Sequence, residues 1–108
     1  MTILDQMREI LKRDHTSFAE LERGIEGFSG GDMAVTHGDY PNIEFWRGLT
    51  REAVSAVNTI LAEGEYGLLP CSRLVYLVDG ITLGQPLAKS ARNYKTPRWM
   101  PVVFKRVK

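Results

Sequence analysis

At 108 residues, with 44% hydrophobic and 25% charged side chains, the chain suits one globular domain with a real core and is too short for two. No window approaches the 18 or so consecutive apolar residues of a membrane span, and a lone cysteine, Cys71, excludes an intramolecular disulfide and fits a reducing, cytoplasmic setting. The net charge of +1 conceals a split: residues 1–79 hold all 13 acids with 7 of the 14 Lys and Arg, giving −6, and residues 80–108 hold the other 7 bases and no acid, giving +7.

The N-terminal stretch MTILDQMREILKR carries early acids and no small-residue cleavage site, so it reads as helix and not as a secretory signal. Thr2 caps it with Asp5 three residues on, and Ile3, Met7, Ile10 and Leu11 share one side until Asp14-His15 ends the run. A second capping box, Ser17-Phe18-Ala19-Glu20, opens a helix whose stripe is Phe18, Leu21, Ile25 and Phe28. That stripe suits packing inside the domain and also offers a seam for a homodimer.

Ser29-Gly30-Gly31-Asp32 has linker composition, and Met33-Ala34-Val35-Thr36 suits a short strand. Asp32, His37 and Asp39 match no dedicated metal spacing and read as a solvated loop, so neither metal nor cofactor is expected. Phe45 and Trp46 are large aromatics expected in the core.

Thr50 is placed to cap a helix over Arg51–Glu63 that stops at Gly64, with Glu52 favourable in its first turn. Ala53, Val54, Val57, Ile60 and Leu61 gather on one face. Arg51, Glu52, Ser55, Asn58, Thr59 and Ala62 gather on the other. Beyond it, Tyr66–Leu69 and Leu74–Val78 are β-rich runs around the turn Pro70-Cys71-Ser72-Arg73, with Pro70 ending the first. Asp79-Gly80 is a second turn, and Ile81–Leu83 continues a meander.

A short helix over Ile43–Gly48, a helix over Leu49–Gly64 and a hairpin over Glu65–Gly80 resemble the winged helix-turn-helix superfamily. The resemblance spans about a third of the chain and implies that the second helix docks in a major groove while the hairpin wing touches the DNA backbone or minor groove. Carried over, Arg51, Ser55, Asn58 and Thr59 face bases and Arg73 lies near the wing tip. Members of this superfamily also serve as protein-binding modules.

The C-terminal bases Lys89, Arg92, Lys95, Arg98, Lys105, Arg106 and Lys108 are interleaved with Tyr94, Trp99 and Phe104. Cations neutralise phosphates and aromatic faces stack on unpaired bases, which points to nucleic acid. Val102-Val103-Phe104, in contrast, reads as a closing strand, and in that alternative Trp99 and Phe104 belong to the core while the bases coat the surface and cover the acidic first half. Cys71 and Ser72 have no His nearby in sequence, and no Gly-rich loop has strand–loop–helix context, so no catalytic constellation is legible.

The expected fold is α+β: two N-terminal helices and the motif helices on one antiparallel sheet of three strands. Its expected core comprises Phe18, Leu21, Trp46, Leu49, Val54, Val57, Leu61, Leu69, Val75, Leu77 and Val103. Two function classes follow. One is a nucleic-acid-binding regulator using Arg51, Ser55, Asn58, Thr59, Arg73, Lys89, Arg92, Lys95 and Arg98. The other is an interaction module for an acidic protein partner.

Overall fold

Two capping boxes set the first helices, as their spacing predicts. In the computed structural model, which describes residues 1–108, Thr2 Oγ1 accepts the Asp5 amide at 3.0 Å and the Asp5 carboxylate accepts the Thr2 amide, opening α1 (Ile3–Leu11). Ser17 and Glu20 repeat the pattern at α2 (Phe18–Gly24), directly after β1 (Thr16–Ser17). Between them the chain reverses through Asp14 and His15, both in the left-handed region at φ 59° and 54°. The amides of Arg106 and His15 donate to the Asp14 carboxylate, and this holds its pKa below the usual carboxylate range.

The remaining elements are β2 (Ser29–Thr36), β3 (Ile43–Leu49), α3 (Arg51–Glu63), β4 (Tyr66–Pro70), α4 (Leu74–Asp79), β5 (Arg98–Trp99) and β6 (Val102–Arg106). They complete an α+β fold with two three-stranded sheets where the sequence suggests one. The first sheet runs β1-β6-β4, all antiparallel, with Thr16 opposite Phe104 and Leu68 opposite the same residue from the other side. The second runs β2-β3-β5, with β5 parallel to β3. No helix is long and apolar enough to cross a membrane.

The hairpin β2–β3 leaves and rejoins the chain at one point. Thr50 donates its amide to Phe28 O at 3.1 Å and its hydroxyl to Gly27 O at 2.6 Å, so the turn that follows α2 meets the cap of α3. The glycine run read as a linker is a bulge within β2. Ser29 and Met33 both pair with Leu49, and the residues between them loop out. Gly31 makes this possible, because a Cβ there would lie 2.2 Å from Leu49 O.

Local pattern misleads in two places. Ile43–Gly48, expected as a helix, is strand β3: its buried residues Ile43, Trp46 and Leu49 fall at helical spacing because bulges break the alternation. Leu74–Val78, expected as a strand, lies in helix α4, where Ser72 Oγ accepts the Leu74 amide and Gly80 closes the last turn at φ 75°. Ile81–Leu83 forms no strand.

The core consequently differs in part from expectation. Phe18, Leu21, Trp46, Leu49, Val57 and Val103 are buried, and Val54 and Leu61 are half-buried. Leu69, Val75 and Leu77 are exposed, because α4 turns only Tyr76 fully inward and β4 ends at the surface. All four residues of the Phe18, Leu21, Ile25 and Phe28 stripe are buried within the chain, so the dimer seam read from the sequence is not a surface.

Two substitutions test this packing. Val57→Asp should abolish cooperative thermal unfolding near the parent temperature, since an unpaired buried charge costs several kcal/mol of a total of about 5–15. Melting like the parent would mean that α3 is turned the wrong way. Gly31→Ala should lower stability in urea by at least about 1–3 kcal/mol, because the methyl meets backbone and not a movable side chain. Gly38→Ala, where a Cβ meets nothing within 4 Å, should stay within about 0.5 kcal/mol of the parent.

Candidate functional site

Three groups of candidate residues emerge, each positioned by different elements. The first is the outer face of α3. Arg51, Ser55 and Asn58 are exposed and Thr59 half-buried, and together with Met33, Val54 and Ala62 they line a shallow groove of about 450 Å³. Thr59 donates its hydroxyl to Ser55 O at 3.0 Å, which fixes its rotamer along the helix. Glu52, adjacent in sequence to Arg51, is absent from the groove lining: its carboxylate accepts the Ile3 amide at the start of α1 at 3.2 Å. The groove therefore carries one net positive charge, whereas the sequence pattern suggests a neutral face.

The second group lies on the long connection between β4 and β6, residues 71–101. This segment is tied to the β3 edge by backbone bonds: Arg98 N to Asn42 O at 2.7 Å and Met100 N to Glu44 O at 3.0 Å. Asn42 Nδ2 also donates to Tyr94 O at 2.7 Å. Tyr94 in turn organises the bases around it. The guanidinium carbons of Arg92 and Arg98 each lie 4.8 Å from its ring centroid, within cation–π range. Lys95 is exposed between them in sequence. The Tyr94 phenol accepts the amides of Lys89 and Ser90 and donates to Ser90 O.

The aromatic part of the expected tail site is corrected by burial. Trp99 and Phe104 are 2% and 0% exposed and belong to the core, and the Tyr94 ring is taken by the two arginines. No aromatic face of the tail is left for stacking on unpaired bases.

The third group lines a cavity of about 710 Å³ at the seam between the two sheets. Arg73 and Lys89, expected on a DNA-facing surface, both belong to this lining. Arg73 does not mark a hairpin tip, because it is the residue preceding α4. Cys71, Ser72 and His37 also line the cavity, so the fold gathers residues that lie far apart in sequence. Burial raises the Cys71 thiol pKa, the opposite of what an activated nucleophile requires.

Six ion pairs form in the chain, involving Arg8, Lys12, His15, Arg23, Arg47 and Arg106. Arg51, Arg73, Lys89, Arg92, Lys95 and Arg98 enter none of them. Of the tail bases only Arg106 reaches an acid of the first half, Glu65 at 3.3 Å, so the tail is not an internal cover for the acidic half. Sequence reasoning gives Tyr94, His37 and Met33 other roles: a stacking aromatic, a solvated loop residue and a strand residue. Only the spacing Arg92-x-Tyr94 hints at the observed arginine–aromatic cluster.

Searches against protein-family models, curated proteins and solved structures match nothing.

The Tyr94 cluster has a spectroscopic consequence. Arg92 above all, and then the Ser90 and Lys89 contacts, bring the phenol pKa down to about 8. Burial pushes Tyr76 well above the ordinary tyrosine value. Absorbance at the phenolate band should show a step near pH 8 that vanishes in Tyr94→Phe and moves up in Arg92→Leu. With the folded-state pKa depressed, this group's stabilisation is complete above about pH 10 and is lost as pH falls through 8. An unchanged titration in Tyr94→Phe would mean that the cluster is not formed.

Proposed function

We propose that this chain is a winged-helix-like protein that binds duplex nucleic acid, with α3 against the bases and residues 71–101 as an enlarged wing against the backbone. The observation that carries the reading is that six of the nine Lys and Arg outside any ion pair, Arg51, Arg73, Lys89, Arg92, Lys95 and Arg98, are the bases of α3 and of residues 71–101. A positive segment neutralised by nothing internal is suited to a polyanion.

Topology supports the winged-helix reading at a different register from the sequence resemblance. In this reading α2 and α3 take the places of the motif helices, the turn after α2 being bonded to the Thr50 cap of α3, with the hairpin β2–β3 inserted between them. Strands β4 and β6 then flank the wing, and β1 supplies the extra strand that precedes the motif, pairing with β6. Arg51, Ser55 and Asn58 would reach base edges, and Arg92 and Lys95 phosphates. Arg73 and Lys89 add to the same positive field from the cavity rim. With the tail aromatics buried or occupied, duplex is favoured over single strands.

A second reading, docking of an acidic protein partner, is favoured by one feature. Helix α4 leaves Leu74, Leu77 and Val78 at 63%, 52% and 88% exposed, beside the basic segment. Exposed apolar residues at helical spacing are suited to a protein surface and serve no purpose against phosphate.

A salt titration separates the two. Duplex affinity should fall with a log–log slope of about −0.9 per neutralised phosphate. Arg92→Ala with Lys95→Ala should flatten that slope by about 2 while the fold is retained. Asn58→Ala should instead change sequence preference with little effect on the slope, because base contacts specify and phosphate contacts position. If the folded protein binds no duplex at low salt, the nucleic-acid reading fails and the acidic partner stands.

A further inference from the structure

From the cavity at the seam of the two sheets we infer a binding site for a small organic anion with an apolar body, the chemistry of a medium-chain or aryl carboxylate. The volume, about 710 Å³, lies inside the range of small-molecule sites. Its lining divides by chemistry. Met100, Pro101 and Val102, buried where the chain crosses from β5 to β6, give one apolar wall. Phe45, Leu68 and Leu87 give another. Pro70 and Pro101 carry no amide hydrogen, and Cys71 N is already committed to Pro101 O at 2.9 Å, so this part of the lining has few donors left unpaired.

The charged part is one-sided. Among the 15 lining residues none is acidic, while the basic side chains Arg73 and Lys89 pair with no carboxylate. His37 adds a donor. Its Nδ1 accepts the Asp39 amide at 3.0 Å, so a neutral ring carries its proton on Nε2. The Ser72 and Ser90 hydroxyls complete the polar lining. An apolar cavity with two unpaired cations and no acid discriminates by headgroup charge: it favours a carboxylate, tolerates an alcohol and repels an ammonium.

Such a site shares Arg73 and Lys89 with the proposed polyanion surface but does not need nucleic acid to be bound, and its test uses the full chain with three eight-carbon probes: octanoate, octan-1-ol and octylammonium. Calorimetric titration at low salt should give saturable octanoate binding at least about tenfold tighter than that of octylammonium, with octanol between them. Arg73→Gln with Lys89→Gln, both exposed positions, should weaken octanoate about tenfold or more and leave octanol unchanged. Ala91→Phe, which fills the cavity from an exposed lining position, should abolish binding of both. Thermal melts of each variant establish that it is folded. Arg92→Ala with Lys95→Ala, the pair that tests the phosphate contacts, should leave octanoate binding unchanged, so the two readings fail separately. Equal affinity for octylammonium, octanoate binding that survives the Gln pair or Ala91→Phe, or no octanoate binding by the folded parent at millimolar concentration would each overturn the assignment.

Discussion

The Tyr76 phenol holds the two halves of this fold together. It accepts the Phe18 amide at 3.1 Å and donates to Val102 O at 2.6 Å, so one buried hydroxyl links the start of α2, the inward face of α4 and the start of β6. Its ring lies 5.2 Å from both Trp46 and Trp99, which belong to the second sheet. A buried hydroxyl without partners would cost free energy, and here both its donor and its acceptor capacity are used. The aromatic cluster and the sheet seam follow from that one position, and with them the course of residues 71–101.

That course decides where charge is presented. Because the connection is pinned to the β3 edge at Asn42 and Glu44, its bases cannot fold back over the acids of the first half. Arg92 and Arg98 are instead gathered on Tyr94, and Arg73 and Lys89 are brought to one cavity. The proposed polyanion binding and the inferred small-anion binding would draw on the same physical circumstance, positive charge that the chain does not neutralise itself. They differ in geometry: an exposed cluster meets a repeating array of phosphates, and a walled cavity admits one headgroup with an apolar body.

Much of the candidate site is legible in the residue pattern. The outward face of α3, with Arg51, Ser55, Asn58 and Thr59, follows from the helical period and the Thr50 cap, and burial of Ala53 and Val57 agrees with it. The divergence of Arg51 and Glu52 is not legible there, because Glu52 is drawn away by the amide of Ile3, 49 residues distant. Nor does the pattern bring His37 and Cys71 to one cavity, since the two sit at the margins of different sheets and share that lining only through tertiary packing.

By itself the sequence determined the elements whose ends carry local chemistry. Thr2, Ser17 and Thr50 start helices by satisfying amides within three residues, Gly64 ends one in the left-handed region, and Pro70 ends a strand for want of a donor. The charge split is likewise a property of the chain alone. Tertiary structure decided the short segments, β3, the β2 bulge and α4. In six or seven residues helical and strand periods are barely distinguishable, so partners from elsewhere choose between them. Trp46 is claimed by an aromatic cluster, Gly31 by the Leu49 carbonyl and Tyr76 by Phe18 and Val102, and those distant contacts outweigh the local preference of the residues that make them.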